Sequence, residues 1–107
     1  MNIEKIVKER TKKYPLSSQE DTPLNKKVVL VKLFNAFGSW NWYITEYEPE
    51  QKIAFGYVEW LVSDPICDEW GSFSITELSQ YSFLWCPAIE VDLHFEEKIF
   101  WKIGVRQ

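Results

Sequence analysis

The chain has 107 residues, 46% of them hydrophobic and 17% aromatic, and carries a formal net charge of −4. That length holds one hydrophobic core, and five Pro and four Gly among so many apolar residues exclude a disordered or fibrous chain. The six Trp are many for so small a domain, in which large rings raise the burial available per residue.

Residues 2–13 read as a helix: Ile3, Ile6 and Val7 fall at i, i+3 and i+4, and Glu4–Lys8 and Glu9–Lys13 make supporting i,i+4 pairs. Pro15 should end it by excluding the helical conformation at Tyr14. The stripe is narrow, so the helix is expected to be detachable, leaving a folded body when residues 1–13 are removed. Residues 14–26 form a connecting loop rich in Pro, Ser, Asp and Asn. The period then changes to two. The β-branched run KVVLVKLF, residues 27–34, predicts a strand well inside a sheet, and AFGS turns the chain.

A hairpin follows. WNWYITEYE and KIAFGYVEW flank Glu48-Pro49-Glu50-Gln51, where Pro at the second position suits a type I turn. With Glu48 facing Gln51, Trp42 faces Tyr57 and Ile44 faces Phe55, so Trp40, Trp42, Ile44, Ile53, Phe55 and Tyr57 form one apolar core face. Tyr43 then lies across Gly56, and Tyr43 and Tyr47 mark the opposite face as an exposed or helix-covered surface open to a partner.

LVSDPICDE, residues 61–69, reads as a loop and WGSF as a short strand. SITE at 74–77 is a capping box, opening a helix through about Tyr81 with Ile75 and Leu78 inward. Beyond a Cys86-Pro87 turn, IEVDLHF (89–95) alternates, with Val91, Leu93 and Phe95 inward and Glu90, Asp92 and His94 outward. KIFWKI (98–103) reads as a last strand. The expected fold is α+β: one domain over 1–107, with a helix at 1–13, a loop at 14–26 and a body at 27–107. That body holds a four- or five-stranded, mainly antiparallel sheet, with one short helix after the third or fourth strand.

Charge is uneven along the chain. Residues 1–32 carry eight Lys or Arg against four acids, and residues 33–107 carry four against twelve. The basic head, through Lys5, Lys8, Arg10, Lys12 and Lys13 with Lys26 and Lys27 beyond the loop, is a candidate phosphate-contacting stripe. The acidic body points the other way, to a basic protein partner or to mimicry of DNA by Glu46, Glu48, Glu50, Asp64, Asp68, Glu69, Glu90, Asp92, Glu96 and Glu97. No apolar run reaches the length of a membrane span. The charged opening lacks the apolar centre of a signal peptide, which points to the cytoplasm. Cys67 and Cys86 are then expected as free thiols.

Glu90, Asp92 and His94 are the most chemical grouping. On one strand face they stand about 6–7 Å apart, oxygen and nitrogen donors of a kind that metals accept, yet too spread to converge without a neighbouring strand. A solvated polar face is the plainer reading. A dyad of Cys67 or Cys86 with His94 lacks any helix N-terminus to activate the thiol, and the four isolated Gly make no phosphate loop. No cofactor or metal is expected.

The motifs KLF…WNWYITEYEPE…AFGYVEW, EWGSFSITEL and IEVDLHF, in this order and spacing, resemble the family called domain of unknown function 2958, from about Tyr14 to Phe95. Glu46, Gly56, Trp70, Gly71 and Asp92 match its motif positions. The resemblance implies a small bacterial protein encoded on plasmids and other mobile elements, often near conjugation or antirestriction genes, and it carries over no catalytic residue. The expected function is therefore non-enzymatic: an accessory protein of a mobile element that binds another protein, against host defence or in DNA transfer. Its partner would dock on rigidly displayed groups, Glu48, Glu50, Glu90, Asp92 and His94, with Tyr43 and Tyr47 behind them. Nucleic-acid binding through the basic helix is the second reading and a metal-assisted enzyme the third.

Overall fold

A helix, α1, covers Ile3–Arg10 in the computed structural model, which describes residues 2–38, 40–59, 68–80, 82–83 and 86–104. The Asn2 side chain caps it by accepting the Lys5 N–H at 3.0 Å. It ends at the C-cap Thr11, well before Pro15; the Thr11 N–H makes the last helical bond, to the Val7 carbonyl, and its hydroxyl bonds the same oxygen at 2.7 Å. Its apolar stripe is not spare. Ile3 is 6% and Val7 0% exposed, packed with Val31, Ile75 and Ile89 in the main core, so the narrow stripe does join the core, contrary to expectation. The docking is apolar apart from the Tyr47 hydroxyl, which donates to Glu4 at 3.3 Å, and among the described residues the ion pair on this segment joins Lys12 to Glu9 within the head itself, at 3.0 Å.

The strands are β1 (Val28–Val29), β2 (Val31–Asn35), β3 (Asn41–Glu48), β4 (Ile53–Glu59), β5 (Glu69–Ser74), β6 (Ser82–Phe83), β7 (Cys86–Pro87), β8 (Ile89–Val91) and β9 (Lys98–Ile99). Five of them form one antiparallel sheet in the order β5-β4-β3-β2-β8. The remaining four pair as β1 with β9 and β6 with β7. A second helix, α2 (Ile75–Gln80), follows the fourth strand of the large sheet in chain order. Its cap is the expected one, the Glu77 N–H donating to the Ser74 hydroxyl at 3.2 Å. The fold is thus α+β with a mainly antiparallel sheet, as the patterning predicts.

The hairpin differs from expectation in register. Glu48 faces Ile53, not Gln51, because Glu48 accepts the N–H groups of Glu50 and Gln51 and Lys52 takes a positive φ of 59°, which lengthens the turn. A bulge at Thr45 then changes the pairing, so that Ile44 faces Gly56, Tyr43 faces Tyr57 and Trp42 faces Val58. One extra residue on one strand moves every later partner to the opposite face. Trp42 and Ile44 keep the core face with Tyr47, Ala54 and Val58, under α1 and α2. Phe55 and Tyr57 move to the other face. There Tyr43, Tyr57, Val29 and Phe100 form a second cluster, with Trp70 and Phe95 packed on it. Both faces are therefore covered. At the bulge the backbones close up so far that a Cβ on Gly56 would lie 1.9 Å from the Tyr43 carbonyl oxygen, which is why this strand position is glycine.

Two other strands end early. β8 stops at Val91 because the Asp92 carboxylate accepts the His94 N–H at 3.0 Å and the Asp92 carbonyl accepts the Phe95 N–H at 3.2 Å, folding 92–95 into a turn. Leu93 is left exposed and Phe95 joins the second cluster instead of the first. After Ile99 the chain tightens into a 3-10 turn, Phe100–Lys102, which inserts Phe100 beside Tyr57 and Trp70. The run 27–34 is likewise divided at Leu30, whose N–H reaches the Ile44 carbonyl at 2.8 Å. Of the expected loop at 61–69, residues 61–67 with the thiol of Cys67 lie outside the described residues, and Glu69 belongs to β5 instead.

Candidate functional site

Loop 14–27 is fastened to the sheet by buried polar groups. The Glu46 carboxylate accepts the backbone N–H of Ser17 at 2.7 Å and of Gln19 at 2.8 Å, one on each oxygen, and Ser17 takes a positive φ of 72° to present its N–H. The Gln19 side chain, itself buried, then serves three backbone groups. It accepts from the Val28 N–H at 2.7 Å and donates to the carbonyls of Val28 at 3.0 Å and Thr45 at 2.8 Å. The carbonyl displaced by the bulge is satisfied in this way. The Lys27 ammonium donates to the Gln19 carbonyl and lies 5.8 Å from the centre of the Phe55 ring.

So held, the loop walls a cleft of about 540 Å³, floored by Phe55 and Ser72 and rimmed by Leu16, Leu24, Glu20 and Asp21. Leu24 also borders a neighbouring cleft of about 560 Å³ with Tyr57, Asp68, Glu69, Trp70 and Phe100. The floors join through an aromatic row: Phe55 stacks on Trp70 at 5.9 Å and Trp70 meets Phe100 at 4.7 Å between ring centres. On the helix-covered face a third cleft, about 340 Å³, lies between Trp40, Trp42, Phe73 and Leu78, with Glu69, Gly71 and Glu77 at its mouth. All three are lined by residues of β5. Glu20, Asp21, Glu69 and Glu77 are exposed, while the one Lys among the lining residues, Lys27, is turned inward. The rims are acidic; the second and third clefts have apolar floors, while the first sets Phe55 beside Ser72 and the buried Glu46 and Lys27.

The residues singled out from the sequence are scattered by comparison. Glu48 and Glu50 sit at the hairpin tip, with Glu48 engaged by the turn. Glu90 pairs across from Phe34 on β8, while Asp92 and His94 lie past the strand end in a turn. The expected row of Glu90, Asp92 and His94 along one strand is therefore not formed. Among the described residues no three His, Cys, Asp or Glu side chains gather as metal ligands. Tyr43 and Tyr47 are 4% and 2% exposed and, with the bulge between them, occupy opposite faces, so neither offers a partner surface. Glu46 is likewise buried and drops out of any acidic surface. Lys5 and Lys8 are exposed and Arg10 half-buried on α1, and Lys12 and Lys13 are exposed in the turn that follows it, whereas Lys27 is buried and leaves the basic stripe.

The clefts escaped sequence reasoning because they depend on which strand is the sheet edge. A partial signal was present in Trp70-Gly71, an aromatic beside a bare backbone on a short strand. The Cβ of a substituted Gly71 would meet no atom within 4 Å.

A polar cluster stands at the far end of the hairpin. Asn41 Nδ2 donates to Glu59 Oε1 at 3.0 Å and the Tyr43 hydroxyl to the same oxygen at 3.4 Å. Burial, reinforced by the Glu59 charge, pushes the Tyr43 phenol well above its ordinary value of 10.0. Burial and the Glu4 carboxylate, to which the Tyr47 hydroxyl donates at 3.3 Å, do the same for Tyr47. Both phenols thus stay protonated at neutral pH and serve as donors, not as bases. A folded-state value raised above the unfolded one stabilises the fold fully below pH 10, and that contribution is lost as pH climbs from there towards the folded values. In an alkaline titration, Tyr43 and Tyr47 should form phenolate only together with unfolding, read by ultraviolet absorbance and circular dichroism. Reversible ionisation of all five Tyr with the fold intact would contradict this burial.

A protein family described as "Protein of unknown function (DUF2958)" matches residues 5–102. No curated protein and no solved structure matches the chain. No helix among the described residues is long and apolar enough to cross a membrane.

Proposed function

We propose that this chain, which belongs to the DUF2958 family, works without catalysis, by binding another protein that presents basic residues. The observation that carries this reading is the convergence on β5 of three clefts with acidic rims and aromatic side chains at their floors. Apolar floors supply the burial that holds a partner, and rim carboxylates set its charge and speed the encounter. The genomic setting implied by the family resemblance makes the partner a component of host defence or of DNA transfer, met in the cytoplasm by a protein of a plasmid or other mobile element.

The test is capture from bacterial lysate by the full chain, compared with two charge-reversed variants. In one, Glu20, Asp21, Glu69 and Glu77 are each changed to Lys; in the other, Glu48, Glu50 and Glu90. The same retained proteins should appear with wild type and with the second variant, disappear with the first, and weaken as salt rises. Equal capture by all three sinks the reading. Retention of DNA in place of protein, abolished by Lys5→Glu, Lys8→Glu, Lys12→Glu and Lys13→Glu together, establishes the basic face of α1 as the working surface instead.

A further inference from the structure

Beyond its clefts, β5 offers its backbone. The Ile75 N–H donates to the Lys52 carbonyl at 2.9 Å, one step past the Ser74↔Ile53 pair and in the same register. Bonded and non-bonded pairs alternate in an antiparallel ladder, so Phe73, Gly71 and Glu69 bond inward to Ala54, Gly56 and Val58. The N–H and C=O groups of Trp70 and Ser72 are therefore directed away from β4. β5 is the end strand of the sheet, and among the described residues no strand pairs with its outer side. An edge of this length with one charged side chain, Glu69, is weakly guarded against an added strand.

We propose that the outer edge of β5 receives an extended segment of the partner as a sixth strand, bonded to Trp70 and Ser72, in which apolar residues alternate with Lys or Arg. This rests on the protein-binding reading above and names its mode. Side chains of an added strand point alternately to the two faces of the sheet. On the helix-covered face they enter the cleft between Trp40, Phe73 and Leu78, which is the more apolar of the surfaces beside β5. On the other face they pass over Phe55 and Trp70 towards Glu20 and Asp21, where a basic side chain finds its complement. A second copy of this chain fits poorly. An antiparallel pair of β5 edges bonded at Trp70 and Ser72 sets each Glu69 across from Phe73 and brings no Lys or Arg of β5 to either acidic rim, so the charge complement is missing.

The test uses the full chain and an N-acetylated, C-amidated peptide of four Val-Lys repeats, with a Val-Glu peptide as control. The Val-Lys peptide should bind and slow hydrogen exchange at the Trp70 and Ser72 amides by about tenfold or more, while the Val-Glu peptide binds at least about tenfold more weakly. Ser72→Pro removes one outward N–H and leaves the bonds to β4, and Gly71→Leu fills the open mouth of the helix-side cleft. Each should cut affinity about tenfold or more without lowering the thermal midpoint. Binding with both amides unprotected, or undiminished in both variants, overturns the edge proposal while leaving the protein-binding reading in place. Failure of the peptide to bind, with lysate capture intact, shows a partner docking through a folded surface and overturns it too. Concentration-dependent dimers abolished by Ser72→Pro make a second copy the occupant, and the proposal is then wrong.

Discussion

Trp42→Ala should lower the stability of the fold by about 3–5 kcal/mol, the range for truncating a buried aromatic. Trp42 is 3% exposed, stands in the main cluster between β2 and β4, and meets Trp40 edge to face at 6.2 Å. Its removal leaves a cavity that Leu33 and Val58, fixed on the neighbouring strands, cannot close by side-chain motion alone. Since domains of this size are stable by roughly 5–15 kcal/mol, the loss takes a large part of the total and the thermal midpoint should fall by on the order of 15 °C or more. A midpoint like that of the wild-type chain would mean that the Trp pair is a surface feature.

The Trp40–Trp42 pair was legible as core from alternation, and so were the sheet, the capping box of α2 and the antiparallel pairing, because each rests on neighbours close in sequence, whereas Tyr43 and Tyr47, read as an open face, are buried. The faces of the hairpin were not. They turn on a bulge at Thr45 whose displaced carbonyl is satisfied by Gln19, 26 positions upstream, and nothing in the local pattern of 41–59 announces that partner. Beyond the bulge, from Gly56 to Glu59, the pairing runs one residue off the expected register, which is enough to invert the assignment. The same limit applied to α1: a three-residue stripe is weak as a free helix, yet Val7 becomes fully buried once Ile75 and Val31 are brought to it. In 89–95 the alternation was real but outweighed by a short-range competitor, the Asp92 side chain, which takes a backbone N–H and ends the strand. The clefts and the exposed edge of β5 follow from strand order, a global property that composition and periodicity do not encode.

Glu46→Ala should cost about 3–5 kcal/mol, and its effect should be confined in a way that Trp42→Ala is not. Two buried or half-buried backbone N–H groups, of Ser17 and Gln19, lose a carboxylate at 2.7 and 2.8 Å, and bonds to a charged group contribute about 1.5–3 kcal/mol each. Alanine offers no replacement, so the positive φ of Ser17 loses the contact that holds it. Gln19 is then free to leave Val28 and Thr45, and the loop that walls the 540 Å³ cleft separates from the sheet. Hydrogen exchange should therefore accelerate first at Val28 and across 15–27, with β4 and β5 protected until global unfolding. Glu46→Gln should recover only part of the loss, since its amide keeps one acceptor oxygen and turns an NH2 towards the second N–H. If Glu46→Ala leaves exchange in 15–27 unchanged, the carboxylate does not hold the loop. If it melts the whole sheet at once, the loop is part of the same cooperative unit as the core, and any weakening of partner capture in this variant would report unfolding rather than loss of the cleft.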